Sequence, residues 1–280
     1  MATPVEPLVG EGALSLPQRA VHWAGFGLIA ASWLSAALFG AYILAFYLGA
    51  IPSGHLENWN QNLPGLYARG NDAALASMTA HLAAGAIILL LGPIQLIGGI
   101  RRRWPSVHRW LGRVYVVTAG IAGLGGLAFI FFKGTIGGAP MNAGFGLYGI
   151  LVVVSAIQAW RNALARRFDR HRAWAIRLFA LAIGSWLYRM DYGFWLIAAH
   201  GVWHTGQFRG PFDVAMSFLF YLPNLGVAEL FLRGKQMKPH PVLLGSAAAV
   251  LGAAALVVAV GTYYFLHFYW GPAILNALSG

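Results

Sequence analysis

Two short stretches of the chain set histidine beside arginine. RRRWPSVHRWLGRVY (101–115) holds five arginines and His108, and RRFDRHRAWAIR (166–177) holds His171 in the same setting. Neutral imidazole can ligate haem iron, shuttle a proton or hydrogen-bond a polar head group. Guanidinium groups supply charge-assisted hydrogen bonds to propionates or other anions. His108–Arg109 with Arg113, and His171–Arg172 with Arg177, therefore read as candidates for holding a haem b or a quinone. His81 is a third candidate, with Gly85 one turn further on leaving room for a flat ligand or another helix.

Arg189 and Asp191 stand out for a different reason. Counted from Ala173, Arg189 lies roughly 24 Å along a helix, beyond the midplane of a bilayer. An arginine there is costly unless it faces protein, water or an opposite charge. Asp191, two residues on, points elsewhere around the helix, so Arg189 is predicted to find its partner on another helix or on an anionic ligand. His200-x-x-x-His204 could present two imidazoles for a metal if helical, but GVWHTGQ reads as a helix end, and no metal ligand is assigned. One haem could be held by His81 with His200 or His204 at one face, or by His108 with His171 at the other. His171 and His200 would be separated by about 44 Å of helix, more than the ~30 Å hydrocarbon core, so they cannot both be buried ligands on one straight helix.

The elements that position these residues follow from composition. The 280 residues are 59% hydrophobic and 10% charged, far too few charges for a wetted surface. Seven apolar segments are long enough to span as helices: about 22–49, 79–100, 111–132, 142–160, 173–199, 214–231 and 242–267. The second is expected to break at Gly92–Pro93. The expected fold class is an all-α integral membrane protein with seven transmembrane helices. Its predicted organisation is a cytoplasmic segment 1–20, a first helix 21–49, an outer loop 50–78 with a short interfacial helix, a core five-helix bundle 79–232, and a basic loop with the last helix, 233–280.

The net charge of +11 is concentrated in alternate connections. Fifteen basic residues fall on one side, in 101–113, 161–177, 233–238 and Arg19, against Arg69, Lys133 and Arg209 on the other. This asymmetry predicts a cytoplasmic N-terminus and an external C-terminus. It also makes anionic lipid, not nucleic acid, the expected partner of the basic loops. The first 20 residues have no basic n-region, so the first apolar segment is expected to be a retained anchor. The absence of cysteine excludes disulfides, iron–sulfur clusters and thiolate ligands. No phosphate loop, HExxH motif or GxSxG elbow is present.

The order His81-Leu-x-x-Gly85, Gly92-Pro-x-Gln95, Arg103, His108-Arg-x-x-Gly-Arg113, His171-Arg-x-Trp-x-x-Arg177 and a late Arg189 resembles a family of predicted bacterial multi-pass membrane proteins of unknown function, over about residues 78–232. That resemblance implies a multi-span bundle and no particular reaction. A looser likeness is to b561-type cytochromes, which implies haem ligation by membrane histidines; this chain lacks their four evenly placed histidines. The leading expectation is a cytoplasmic-membrane electron-transfer protein. It would bind b-type haem or quinone through His81, His108 and His171, with Arg109, Arg113, Arg177 and Arg189 neutralising an anionic group. The alternative is a non-redox accessory subunit of a membrane complex, or a small-molecule transporter.

Overall fold

The computed structural model describes residues 15–233 and 241–279. Most of the N-terminal segment 1–20, and Lys235 and Lys238 of the third basic loop, lie outside the described residues. Within them the chain is helix and turn, with no strand.

Helix α1 (Leu16–Tyr42) continues through a π turn at Ile43–Leu48. It is opened by a capping box in which the Ser15 amide donates to Gln18 Oε1 at 3.0 Å. The polar connection to the next span carries a 3-10 turn (Leu56–Asn58) and the short α2 (Trp59–Asn62), where a brief interfacial helix was expected. Its anchor is Trp59, fully buried, whose indole donates to the Tyr47 carbonyl at 2.7 Å. Helix α3 (Asp72–Leu96) starts several residues before the apolar run does. Asn71 caps it, its side chain accepting from the Ala74 amide, and Asp72 suits the positive helix start.

The expected break at Gly92–Pro93 is corrected: Pro93 lies inside continuous α3. The break falls at Ile97, with ψ 101, followed by α4 (Gly98–Arg103) and a second break at Trp104. Neighbouring helices can re-satisfy the carbonyl that a proline frees within a membrane helix. Helices α5 (Pro105–Phe132) and α6 (Ala139–Leu164) each carry a proline at the first or second position.

Five segments are long and apolar enough to cross a membrane: 16–48, 72–95, 105–132, 139–164 and 242–278. The fifth and sixth apolar segments are not single helices. The fifth divides at Ile183 into α7 (Phe168–Ala182) and α8 (Gly184–Ala198). The sixth divides at Phe220–Tyr221 into α9 (Pro211–Leu219) and α10 (Leu222–Arg233). The two breaks meet in space, since a Cβ on Gly184 would sit 3.1 Å from the Phe220 carbonyl oxygen. Helix α11 (Pro241–Phe265) runs through a π turn (Leu266–Trp270) into α12 (Gly271–Ser279).

Packing runs α3 on α5, α5 on α6 and α6 on α7, while α1 joins α3 to α11. Small residues permit the close crossings. A Cβ on Gly123 of α5 would meet Val153 Cγ2 of α6 at 2.8 Å, and one on Gly149 of α6 would meet Leu127 of α5 at 2.9 Å. One core, with Tyr115, Leu178, Leu181 and Tyr221, lies among α3 and α5–α9. The other, with Phe39, Trp59, Trp186 and Trp270, ties α1, α8 and α11 together. Large apolar side chains such as Phe131, Leu230 and Leu256 cover the outside, as lipid contact requires.

Candidate functional site

The two histidine–arginine stretches become the starts of α5 and α7, with His108 and His171 each in the first turn. Both helices pack against α6. His171 Nδ1 lies 2.8 Å from the Ala159 carbonyl oxygen of α6. A carbonyl only accepts, so Nδ1 carries the proton, and Nε2 of the neutral ring keeps a lone pair for a ligand or a proton.

Three buried side-chain polar atoms among the described residues lack a hydrogen-bond partner: Gln95 Nε2, His108 Nδ1 and the Tyr115 hydroxyl. All three fall in one seam. Gln95, near the end of α3, lies against Gly112 of α5, where a Cβ would stand 3.3 Å from Gln95 Oε1. Tyr115 is 5% exposed. A Cβ on Gly92 of α3 would lie 3.1 Å from the Tyr115 ring and 3.4 Å from the Phe179 ring of α7. His108 and Tyr115 are two turns apart on α5, so the seam spans about 10 Å. Leaving a buried polar group unpaired costs about 1–3 kcal/mol, so three along one seam make it the candidate site.

The arginines divide. Arg109 Nη2 donates to Ser106 Oγ at 3.0 Å within its own helix. Arg113 is exposed on α5. Arg177 is committed elsewhere: its Nε donates to Glu229 Oε1 of α10 at 2.5 Å and its guanidinium lies 4.8 Å from the Trp174 ring. Glu229 also meets Arg233 at 3.6 Å. Arg177 thus fastens α7 to α10 rather than facing the histidines.

His81 and Arg189 form a second locus, about 21 Å along α3 from Gln95. His81 Nδ1 donates to the Ala122 carbonyl at 2.7 Å, joining α3 to α5. The close crossing there is made by Gly125 and Gly126 of α5. A Cβ on Gly125 would meet the Ser77 carbonyl oxygen at 2.8 Å, whereas a Cβ on Gly85 would meet nothing within 4 Å. Arg189 Nη1 donates to the Ser185 carbonyl at 2.7 Å, and its guanidinium lies 4.7 Å from the Phe39 ring of α1. Its partner on another helix is therefore an aromatic face.

The stretch GVWHTGQ is a helix end, as its sequence suggested. Helix α8 ends at Ala198, and His200 (φ 48) and Trp203 (φ 63) turn left-handed, so these imidazoles share no helix face. No group of three or more metal-ligating side chains is found among the described residues. His204 instead meets Asp213 Oδ1 at 2.6 Å. That carboxylate is fully buried, accepting also from the Tyr192 hydroxyl at 2.8 Å and from the Thr205 and Gly210 amides at 3.1 and 2.8 Å. Burial alone would raise its pKa, but these hydrogen bonds outweigh burial and hold it below the usual carboxylate range. Asp213 fixes the loop ahead of the sixth apolar segment. Sequence reasoning passed over it; the available signal was Gly210-Pro211 followed by an acid in the first turn of a helix.

Fold and site together define a helical membrane bundle with a polar seam at its basic end. The chain belongs to the family described as Predicted membrane protein (DUF2306), whose model matches residues 78–232. The match runs from α3 to α10 and contains the seam, His81, Arg189, Asp191 and Asp213. No curated protein and no solved structure matches the chain.

Proposed function

We propose that this chain is a seven-span protein of the bacterial cytoplasmic membrane that holds a quinone at its basic end and takes part in electron transfer. The observation that carries this reading is the convergence of Gln95 Nε2, His108 Nδ1 and the Tyr115 hydroxyl, unpaired, on one seam of α3, α5 and α7. The amide and the phenol are donors, and the imidazole nitrogen donates when it carries the proton. A quinone offers what they lack, two carbonyl acceptors on a flat ring, and its apolar tail suits lipid. His171, with Nδ1 anchored and Nε2 open, is placed to exchange the proton that accompanies quinone reduction.

The same geometry favours haem b as the second occupant. Metal-ligating histidines commonly donate the other ring nitrogen to a carbonyl, as His171 does to Ala159. The separation of His81 from the seam limits a haem there to His108 and His171. The positive-inside asymmetry places the basic end in the cytoplasm, with Arg109 and Arg113 toward anionic lipid.

The test is the full chain purified in mild detergent, extracted for quinone and scanned for absorbance before and after dithionite. Quinone near one per chain, lost in Gln95→Ala with Tyr115→Phe, is the expected result. A Soret band that disappears in His171→Gln transfers the site to haem. A protein with neither quinone nor Soret band refutes a redox function and leaves the accessory or transport alternative, in which these polar groups join helices.

A further inference from the structure

Arg189 and Asp191 sit on opposite sides of α8, since two residues turn a helix by about 200°. Arg189 faces α1 and the Phe39 ring. Asp191 faces a cleft of about 510 Å³ between α8 and the broken pair α9–α10. That is within the range of small-molecule sites, roughly 300–1,000 Å³. Its walls are aromatic: Phe194, Trp195, Phe212 and Phe220 line it. Trp195 and Phe212 stack with centroids 4.5 Å apart and planes at 7°. The Trp195 indole donates to the Val202 carbonyl at 2.6 Å, which fixes this wall in place.

Polar groups in the cleft are few. The Asn224 amide donates to the Phe220 carbonyl at 2.9 Å, across the turn that divides α9 from α10. The Asp191 carboxylate makes no hydrogen bond or ion pair with any described residue; the four ion pairs described involve other groups. A carboxylate in apolar surroundings is costly unless a cation or donors meet it. Aromatic faces attract the same cation through their quadrupoles. Leu219, on the rim, is 52% exposed, so the cleft opens sideways to where lipid would lie.

We propose that this cleft binds a hydrophobic organic cation, a lipophilic amine or onium, with Asp191 as its counter-ion and the Trp195–Phe212 stack as its cation–π wall. A compact cation with an apolar body fits both the single charge and the apolar lining. The site is separate from the seam of Gln95, His108 and Tyr115, and the proposal is independent of what that seam holds.

The experiment is equilibrium binding of tetraphenylphosphonium to the full chain in phosphatidylcholine nanodiscs, with empty nanodiscs as the blank. Saturable binding near one per chain is expected, weakened at least tenfold in Asp191→Asn and retained within about threefold in Asp191→Glu. A photoreactive hydrophobic amine should label wild-type residues within 187–224, a readout that needs no variant to fold. Binding no greater than to empty nanodiscs, equal binding by Asp191→Asn, or labelling confined to other segments overturns the proposal. So does a phospholipid that copurifies equally with wild type and Asp191→Asn and is not displaced by the phosphonium, which would make the cleft an acyl-chain groove.

Discussion

Replacing Tyr115 by phenylalanine removes one oxygen and leaves the ring packed against Gly92. In wild type that oxygen is buried without a hydrogen-bond partner. An unpaired buried hydroxyl costs about 1–3 kcal/mol, so in protein stripped of quinone Tyr115→Phe is predicted to raise stability by about that amount. With quinone bound, the hydroxyl donates to a carbonyl and contributes about 1 kcal/mol, which the variant loses. The quinone-linked stabilisation therefore shrinks by roughly 2–4 kcal/mol, on the order of a hundredfold in Kd. The assay is reversible unfolding in mixed micelles, run on stripped and quinone-saturated protein, for wild type and variant. The sign of the effect on stripped protein decides the matter. A destabilised stripped variant would mean that the hydroxyl already has a partner in the folded protein, and unchanged quinone dependence would remove Tyr115 from the site.

Other outcomes follow from the same geometry. Arg177→Met should cost about 1–2 kcal/mol, because both members of the Arg177–Glu229 pair are only partly exposed; a double-mutant cycle with Glu229→Gln should recover most of it, and additive losses would show the pair to be uncoupled. Gly125→Ala should destabilise by about 1–3 kcal/mol through overlap with the Ser77 carbonyl, while Gly85→Ala, into open space, should stay within about 0.5 kcal/mol in thermal melts; equal effects would refute the close crossing. Asp213 has a folded pKa below its ordinary 3.8. Its stabilisation is therefore full above that value and is lost as pH falls through the lower folded value. The acid limb of wild-type unfolding should flatten in Asp213→Asn, and an identical acid limb would contradict the hydrogen-bonded carboxylate.

Much of the architecture is legible in the chain because membrane helices are specified locally. Apolar runs of sufficient length mark the rods, and prolines 105, 140 and 211 with Asn71 mark where helices begin. The fifth and sixth runs misled the count of long helices. Composition reports that a run is apolar, but the paired breaks at Ile183 and Phe220 arise where one segment packs on the other across Gly184. His108 and His171 were legible as a pair, since both sit in matching loop–helix junctions. Gln95 and Tyr115 were not: a glutamine at a helix end and a tyrosine in an apolar run are ordinary until their lack of partners is known.

Arg189 and Asp191 draw the line most clearly. Residue order alone puts an arginine and an aspartate deep in one apolar segment, and their i, i+2 spacing keeps them from pairing with each other. It takes the packed neighbours to set the Arg189 guanidinium on the Phe39 ring of α1 and the Asp191 carboxyl in an aromatic cleft against α9 and α10. Spacing along a helix fixes the angle between two side chains. It carries no information about which neighbours pack at those angles, and at this depth in a membrane the neighbours set what each charge can do.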